Sequence, residues 1–377
     1  MKIELHMLQN VPPANLNRDD TGEPKSAMFG GVLRARVSSQ CWKRAIRLDM
    51  RQQLGEEMRA TRTLKVGQLL GDRLIARGRA EPESLLAATR VFEAVSIIND
   101  KGKGKGKAAA LAFIGHDEID RLADLVEANW ETLTSEKGMD KKEEKVFENA
   151  VKDALGESSA VDLALFGRMI ATMPGKNVDG ALQVAHAIST NRLDAERDWF
   201  TALDDLATKE ETGAAMIEST GYNSSCFYRY MTLDADALVK RLGREDARTA
   251  LKVFLDSAII AMPTGKRTST APNSRPSLVL AVVRDDAALS LANAFDQPVR
   301  GGQEGLVANS IKALDKYWGR IVEMYGDEGI KAVAVSSLAS DNLDVLAPRI
   351  VPSVTALVDL VIKAAFEPAG KGNGETT

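Results

Sequence analysis

The sequence has little cysteine, little histidine and no excess of positive charge, and each shortage excludes something. Two cysteines, Cys41 and Cys226, cannot build a disulfide scaffold or a four-cysteine zinc site. The three histidines, His6, His116 and His186, lie far apart and in no metal-ligand spacing, so neither a metal nor another cofactor is expected. No stretch of 18 uncharged apolar residues occurs, so no membrane span is expected. The chain opens with Met1, Lys2 and Glu4 and no apolar run, so no secretory signal is expected, and a reducing cytoplasm is the expected setting. Asp plus Glu (53) outnumber Lys plus Arg (49), giving a net charge of −4. A chain basic throughout is excluded; a local basic surface is not. Walker A spacing and the dinucleotide fingerprint are both missing.

What is present suffices for a sizeable core. The 377 residues suggest two domains, or one domain carrying a large insertion. Hydrophobic residues at 44% and charged residues at 27% describe a globular chain rather than a disordered one. Ile3, Leu5 and Met7 alternate with Glu4 and His6, which predicts a half-buried strand closed by Pro12 and Pro13. A long loop over 15–31 ends in Gly30–Gly31. Residues 32–37 predict a short strand with Leu33, Ala35 and Val37 on one face and Arg34 and Arg36 on the other. Ser38 and Ser39 stand where a helix cap belongs. Trp42, Ile46, Met50 and Leu54, at four-residue spacing, predict the buried stripe of a helix over about 40–54.

Residues 56–180 are mostly helical in pattern. They are interrupted at 101–107 by a Lys-Gly repeat that no packed helix or central strand tolerates. Helices are predicted over 161–169, 179–190, 246–262, 287–295, 311–325 and 354–366, and strands over 227–233 and 278–283. Residues 367–377 predict a flexible polar tail. The fold class is α/β of the α+β kind, with helices on one side of a small, mostly antiparallel sheet. A doubly wound parallel sheet fits poorly, because too few apolar strands alternate with helices.

Between positions 34 and 51, six basic residues (Arg34, Arg36, Lys43, Arg44, Arg47, Arg51) face one acid, Asp49, a local charge of +5. Paired glycines let a backbone approach another chain closely. Free N–H groups at a helix start attract phosphate, and arginines add charge-assisted hydrogen bonds. An ordinary loop and a solvated helix face remain the alternative at this point. Asp19–Asp20 suits metal binding or phosphodiester hydrolysis, although two adjacent loop carboxylates are more often a solvated turn. His186, in an apolar predicted helix, is expected in the core. His6 either stacks on a base or packs in the core. Cys41 lies beside the basic patch, which lowers a thiol pKa, but without a partner it is not a proposed nucleophile. Met169 and Met173, before the Pro174–Gly175 turn, suit core packing or a base wedge, and Trp199–Phe200 offers the same choice. Lys137, Lys141, Lys142 and Lys145 alternate with acids and, by pattern alone, make a solvated helix face laced with salt bridges.

A set of runs resembles the CasC family, the repeated backbone subunit of the type I-E CRISPR surveillance complex, Cascade. They are Leu16-Asn17-Arg18-Asp19-Asp20, Phe29-Gly30-Gly31, Arg34-Ala35-Arg36-Val37-Ser38-Ser39-Gln40 and Lys43-Arg44-Ala45. The resemblance continues in order through Ala164-Leu165-Phe166-Gly167-Arg168-Met169, Val178-Asp179-Gly180-Ala181, Ala185-His186-Ala187-Ile188 and Asp198-Trp199-Phe200. Phe227-Tyr228-Arg229-Tyr230, Ser290-Leu291-Ala292-Asn293-Ala294-Phe295 and Tyr317-Trp318 complete it. It implies a hand-like fold. A discontinuous palm of modified RNA-recognition, ferredoxin-like type spans 1–57 and 181–366, helical fingers span 58–180, and a thumb spans 196–224. It also implies a non-enzymatic role. Copies of the subunit line up along the CRISPR RNA spacer, kink it at regular intervals and present it for pairing with target double-stranded DNA. The large, small, guide-end-capping and guide-processing Cascade subunits are further implied partners.

Carried over residue by residue, the resemblance assigns Arg18, Arg34, Ser39, Gln40, Lys43, Arg44 and Arg47 to the RNA backbone, with Lys25 and Arg36 as weaker candidates. Met173 becomes the finger methionine that separates bases, with Met169 as the fallback. Trp199 and Phe200 become thumb-base residues against the guide. Lys137, Lys141, Lys142 and Lys145 become a patch touching target DNA. Two features depart from the family. The Lys-Gly repeat is one, either a nonspecific DNA contact or an accident of loop composition. The thumb's acidity is the other: Glu210, Glu211 and Glu218 accompany a single lysine, Lys209. The alternatives are a metal-dependent ribonuclease acting through Asp20, and an RNA-binding module that never polymerises.

Overall fold

The computed structural model describes residues 1–99, 106–137, 139–156, 158–202 and 216–367. In chain order its strands are β1 (Lys2–Ala14), β2 (Ser26–Phe29), β3 (Val32–Val37), β4 (Ala60–Thr63), β5 (Ala112–Gly115), β6 (Leu182–Val184), β7 (Ala187–Ser189), β8 (Glu196–Ala202), β9 (Met216–Asp234), β10 (Leu278–Arg284) and β11 (Ile330–Ser337). Its α-helices are α1 (Ser39–Met50), α2 (Val66–Ala76), α3 (Glu81–Ala94), α4 (His116–Ala128), α5 (Trp130–Thr134), α6 (Lys141–Ala154), α7 (Val161–Phe166), α8 (Ala235–Leu242), α9 (Arg244–Ile260), α10 (Arg267–Thr270), α11 (Leu306–Tyr325) and α12 (Val354–Phe366). The mixed, antiparallel α/β class expected from the sequence is what the chain adopts.

The chain divides into two compact units. One comprises Met1–Met50, Gln183–Asp236 and everything from Arg248 on; the other comprises Arg51–Leu182 with Ala237–Ala247. The first unit is built on a sheet of order β11-β10-β1-β9-β7-β3-β2, with β6 and β8 also pairing to β9. β1 lies at its centre, antiparallel to β10 on one side and β9 on the other. It is not half-buried as its alternation suggests: Glu4 and His6 are as inaccessible as Ile3, Leu5 and Met7. Leu8, Leu278, Leu280 and Val282 form one cluster with Ile311, Leu314 and Trp318 of α11. Val279, Ala281 and Val283, on the other face of β10, are equally buried, and α12 packs on β10 and β11. Helices therefore cover both faces of the central strands, not one. The uninterrupted apolar run of β10 follows from that double burial.

Burying Glu4 and His6 requires partners. The His6 Nδ1 is 2.8 Å from the Tyr228 hydroxyl, and its ring stacks on Tyr230 at 4.9 Å. His6 is thus a core histidine rather than a base-stacking one. The Tyr228 hydroxyl also accepts the Leu291 N–H at 2.9 Å, and a Glu4 carboxylate oxygen accepts the Leu289 N–H. These bonds draw backbone donors of 287–295 onto the sheet, so the predicted helix there shrinks to a 3₁₀ turn at Ala292–Phe295. The predicted helix over 179–190 is likewise replaced by β6 and β7, because its donors go to strand carbonyls: Ala185 to Tyr230, and Thr190 to Cys226. Nor do Pro12 and Pro13 close β1. Its ladder with β10 ends at Leu8, and its register against β9 slips between Val11 and Ala14, where the missing proline N–H groups cost nothing.

The second unit is mostly helical, as expected of 56–180, with one small hairpin pairing β4 to β5. Its core gathers Leu70, Leu74, Val91, Phe92, Ile114, Leu122, Val126, Phe147 and Val151. Most of the Lys-Gly repeat, residues 101–105, lies outside the described residues, as does the tail from 368. No helix among the described residues is long and apolar enough to cross a membrane.

Candidate nucleic-acid interface

Gly30 and Gly31 join β2 to β3 as a two-residue turn between the paired Phe29 and Val32. Both have positive φ, +58° and +73°, the requirement of a type I′ hairpin. Gly30 also backs onto its own chain: a Cβ there would lie 1.7 Å from the Asp296 carbonyl oxygen. The close approach anticipated from the glycine pair is thus made to the protein itself.

Arg34 must be reassigned. It is fully buried, and its five guanidinium N–H groups donate to five backbone carbonyls: Phe29 (3.3 Å), Ser189 (3.0 Å), Thr190 (2.8 Å), Phe295 (2.7 Å) and Asp296 (3.0 Å). No donor is left for phosphate. Arg34 is an internal staple that fixes β3 to the 189–190 and 295–296 segments, and burial lowers its pKa. Arg36, half-buried, donates to the Ser26 carbonyl at 3.1 Å.

The staple leads straight into α1. Asn17 Oδ1 accepts the Ser38 N–H at 2.9 Å, and Ser38 Oγ accepts the Cys41 N–H at 3.3 Å as the helix cap. His186 Nδ1 accepts the Ser39 N–H at 3.0 Å. His186 is therefore exposed at the start of α1 and is not in the core, because the helix expected around it does not form. Below the helix, Trp42, Ile46 and Met50 are buried as their spacing predicts. The Arg229 guanidinium lies 3.7 Å over the Trp42 ring and donates to Gln9 and to the Ala258 carbonyl. Complete burial pulls its pKa down to about 9.

Held on that side, α1 turns its polar residues outward. Gln40 and Arg44 are exposed, while Ser39, Lys43 and Arg47 are half-buried. Burial lowers the Lys43 pKa. Arg18 is exposed in the preceding loop. The sequence-derived set Arg18, Ser39, Gln40, Lys43, Arg44 and Arg47 thus falls in one unit, five of its members on a single helix, with Arg34 removed. The Cys41 thiol shifts opposite to expectation: burial raises it, against the smaller effects of Arg44 and Lys25. Asp19 is spent on its own turn, accepting from the Thr21 N–H (2.9 Å), the Thr21 hydroxyl (2.7 Å) and the Glu23 N–H (3.0 Å). Asp20 is exposed, and no group of three or more His, Cys, Asp or Glu able to hold a metal occurs among the described residues.

β8 and β9 form the long hairpin at the predicted thumb, paired from Glu196↔Tyr222 to Ala202↔Met216. Trp199 is exposed on it and Phe200 half-buried. Its base rests on the 15–25 loop through Asn15, which donates to the Gly22 and Gly221 carbonyls at 3.0 Å each, and through Arg197–Glu23 at 3.5 Å. Lys209, Glu210 and Glu211 lie outside the described residues.

In the helical unit, the loop after α7 begins at Gly167, with φ +76°, and closes on itself by reciprocal Arg168–Val178 backbone bonds of 2.8 Å each. Below it, Arg168 forms a fully buried ion pair with Glu118, at 2.6 Å and 2.8 Å to the two carboxylate oxygens. This geometry exchanges the two methionines. Met173 is 5% exposed and belongs to the helical core, so it cannot part bases, whereas Met169 is 78% exposed. Lys137 is exposed, and Lys141, Lys142 and Lys145 are exposed on the first turns of α6, which Asp140 and Glu143 cap. None of the four lysines joins an ion pair among the described residues, so the face is solvated but not laced.

The family model for CT1975-like proteins matches residues 3–359. The chain belongs to this CRISPR-associated (Cas) family. The family's likeness extends to solved structures. A chain of a "CRISPR RNA-guided surveillance complex, pre-nicking" superposes with a TM-score of 0.86 at 29% identity, covering 97% of this chain and 100% of that one. A chain of another "CRISPR RNA-guided surveillance complex" gives 0.75 at 27% identity with the same coverage. Comparison with curated proteins gives no match. These findings agree with the resemblance drawn from the sequence runs.

Proposed function

We propose that this chain is the CRISPR RNA-binding backbone subunit of a type I-E surveillance complex. It polymerises along the guide spacer, kinks the guide and presents it to target DNA. The observation that carries the reading is α1: a row of cations locked onto the sheet by Trp42 below and by Ser38, Asn17 and His186 at its start, in a chain that superposes over nearly its whole length on surveillance-complex chains. Phosphate contacts of this kind give affinity without reading sequence, which base pairing then supplies. Met169 is the base wedge in this reading: an exposed, unbranched thioether fills the gap between unstacked bases without demanding a hydrogen bond. Trp199 and Phe200 lie against guide nucleotides from the hairpin. Lys137, Lys141, Lys142 and Lys145 attract target duplex. The palm is of RNA-recognition type, the other Cascade subunits and further copies of this chain are the protein partners, and the cytoplasm is the setting.

The role is scaffolding rather than catalysis. Asp20, through which a ribonuclease would act, belongs to no group of three or more His, Cys, Asp or Glu able to hold a metal among the described residues. Expression with the whole operon tests the reading. The complex should carry CRISPR RNA, and its mass should rise stepwise with spacer length. Constant mass on longer guides would leave a binding module that does not polymerise. Magnesium-dependent cleavage of complementary RNA that disappears in Asp20→Ala would show an enzyme.

A further inference from the structure

We infer that His186 is a further guide contact, a neutral imidazole that gives its Nε2–H to a phosphate oxygen of the RNA. This rests on the reading of α1 as the guide-binding helix. The sheet register places the ring. Arg36 pairs with Ile188 and Val37 with Ala187, so His186 stands opposite Ser38, where β3 passes into α1. The Arg36 N–H donates to the Lys25 carbonyl at 2.9 Å, which brings the Lys25 segment alongside. The ring therefore sits between the start of the basic helix and two cations of the β2–β3 edge.

Its protonation follows from the same geometry. Nδ1 accepts the Ser39 N–H, so it carries a lone pair, and the single ring proton of the neutral form is on Nε2. Burial, Arg36 and Lys25 all favour the neutral ring. His186 is exposed, and Nε2 has no protein partner among the described residues. The ring thus offers one free donor beside two cations, Arg36 and Lys25, whose charge it does not add to. A phosphodiester oxygen suits that arrangement, since it accepts from the imidazole while Lys25 and Arg36 supply the attraction. The ring also ties RNA to helix position: the nitrogen that fixes Ser39 belongs to the group that holds the phosphate.

The test measures guide RNA binding against salt for the wild-type chain, for His186→Asn and for Lys43→Ala with Arg44→Ala. Asn keeps an acceptor for the Ser39 N–H and lacks the distal donor. A roughly ten- to hundredfold loss of affinity is expected for His186→Asn, the worth of one hydrogen bond to a charged group. The melting temperature and the salt slope should not change, since a neutral donor releases no counterion. A slope lower by about one unit would show a charged ring and overturn the neutral-donor assignment. Unchanged affinity in His186→Asn, with affinity lost in the Lys43/Arg44 variant, overturns the inference and leaves the proposed function standing. Unchanged affinity in the Lys43/Arg44 variant overturns the helix assignment itself. ¹⁵N imidazole shifts of the wild-type chain give an answer free of any variant: an Nδ1–H tautomer contradicts the inference, and an Nε2–H tautomer supports it.

Discussion

Two helices carry most of the cations proposed to meet nucleic acid, and they carry them differently. On α1, Lys43 and Arg47 are half-buried and the helix start is pinned by Ser38, Asn17 and His186, with Trp42 and Arg229 packed beneath. On α6, Lys141, Lys142 and Lys145 stand in water with no ion pair among the described residues. A cation held in place forms a shaped contact and loses little side-chain entropy on binding. A solvated one contributes long-range attraction that salt screens. The first arrangement fits a guide bound once and kept, the second a duplex that is sampled and released.

Removing what holds α1 sharpens the contrast most. Arg34→Ala takes the guanidinium donors away from five backbone carbonyls, of which Thr190 keeps the Val299 N–H, and should destabilise the chain by about 3–5 kcal/mol, seen as a lower denaturant midpoint. A loss below about 1 kcal/mol would mean that Arg34 is not the staple described. The methionines repeat the contrast in the helical unit. Met173→Ala should cost about 2–4 kcal/mol as a core truncation. Met169→Ala should leave stability within about 0.5 kcal/mol, yet dim 2-aminopurine at the kinked guide position as the base restacks. The reverse pattern would return the wedge to Met173. The smallest effect belongs to α6. Lys141→Glu with Lys142→Glu should weaken duplex binding several-fold at low salt, fade at high salt and leave guide retention unchanged. An equal loss of guide would place those lysines on the wrong surface.

Local pattern was legible wherever a segment answers to its own neighbours. The strand at 32–37, the α1 stripe, the doubly buried run of β10 and the helix at 354–366 all follow from spacing alone. What failed depended on bonds to distant chain. Alternation marks Arg34 as facing a different way from Ala35, but not that four of its five acceptors lie 155 to 262 residues on. The 287–295 segment has helical spacing, but Glu4 and Tyr228 claim its donors. His186 looked apolar-embedded for the same reason, and the strand pairing of β7 turned it to the surface. The cation row was visible in the sequence because it needs only charge and helical spacing. The choice between Met169 and Met173 was not, since four residues apart on an irregular loop fixes no face.

The central claim is that α1 grips the guide through its phosphates. The salt dependence of guide RNA binding by Lys43→Ala with Arg44→Ala, set beside the wild-type chain, tests it most directly. Each lost phosphate contact should lower the slope of log K against log salt by about one unit, so the double variant should lose about two, with an unchanged melting temperature. A slope equal to the wild-type value would contradict the claim.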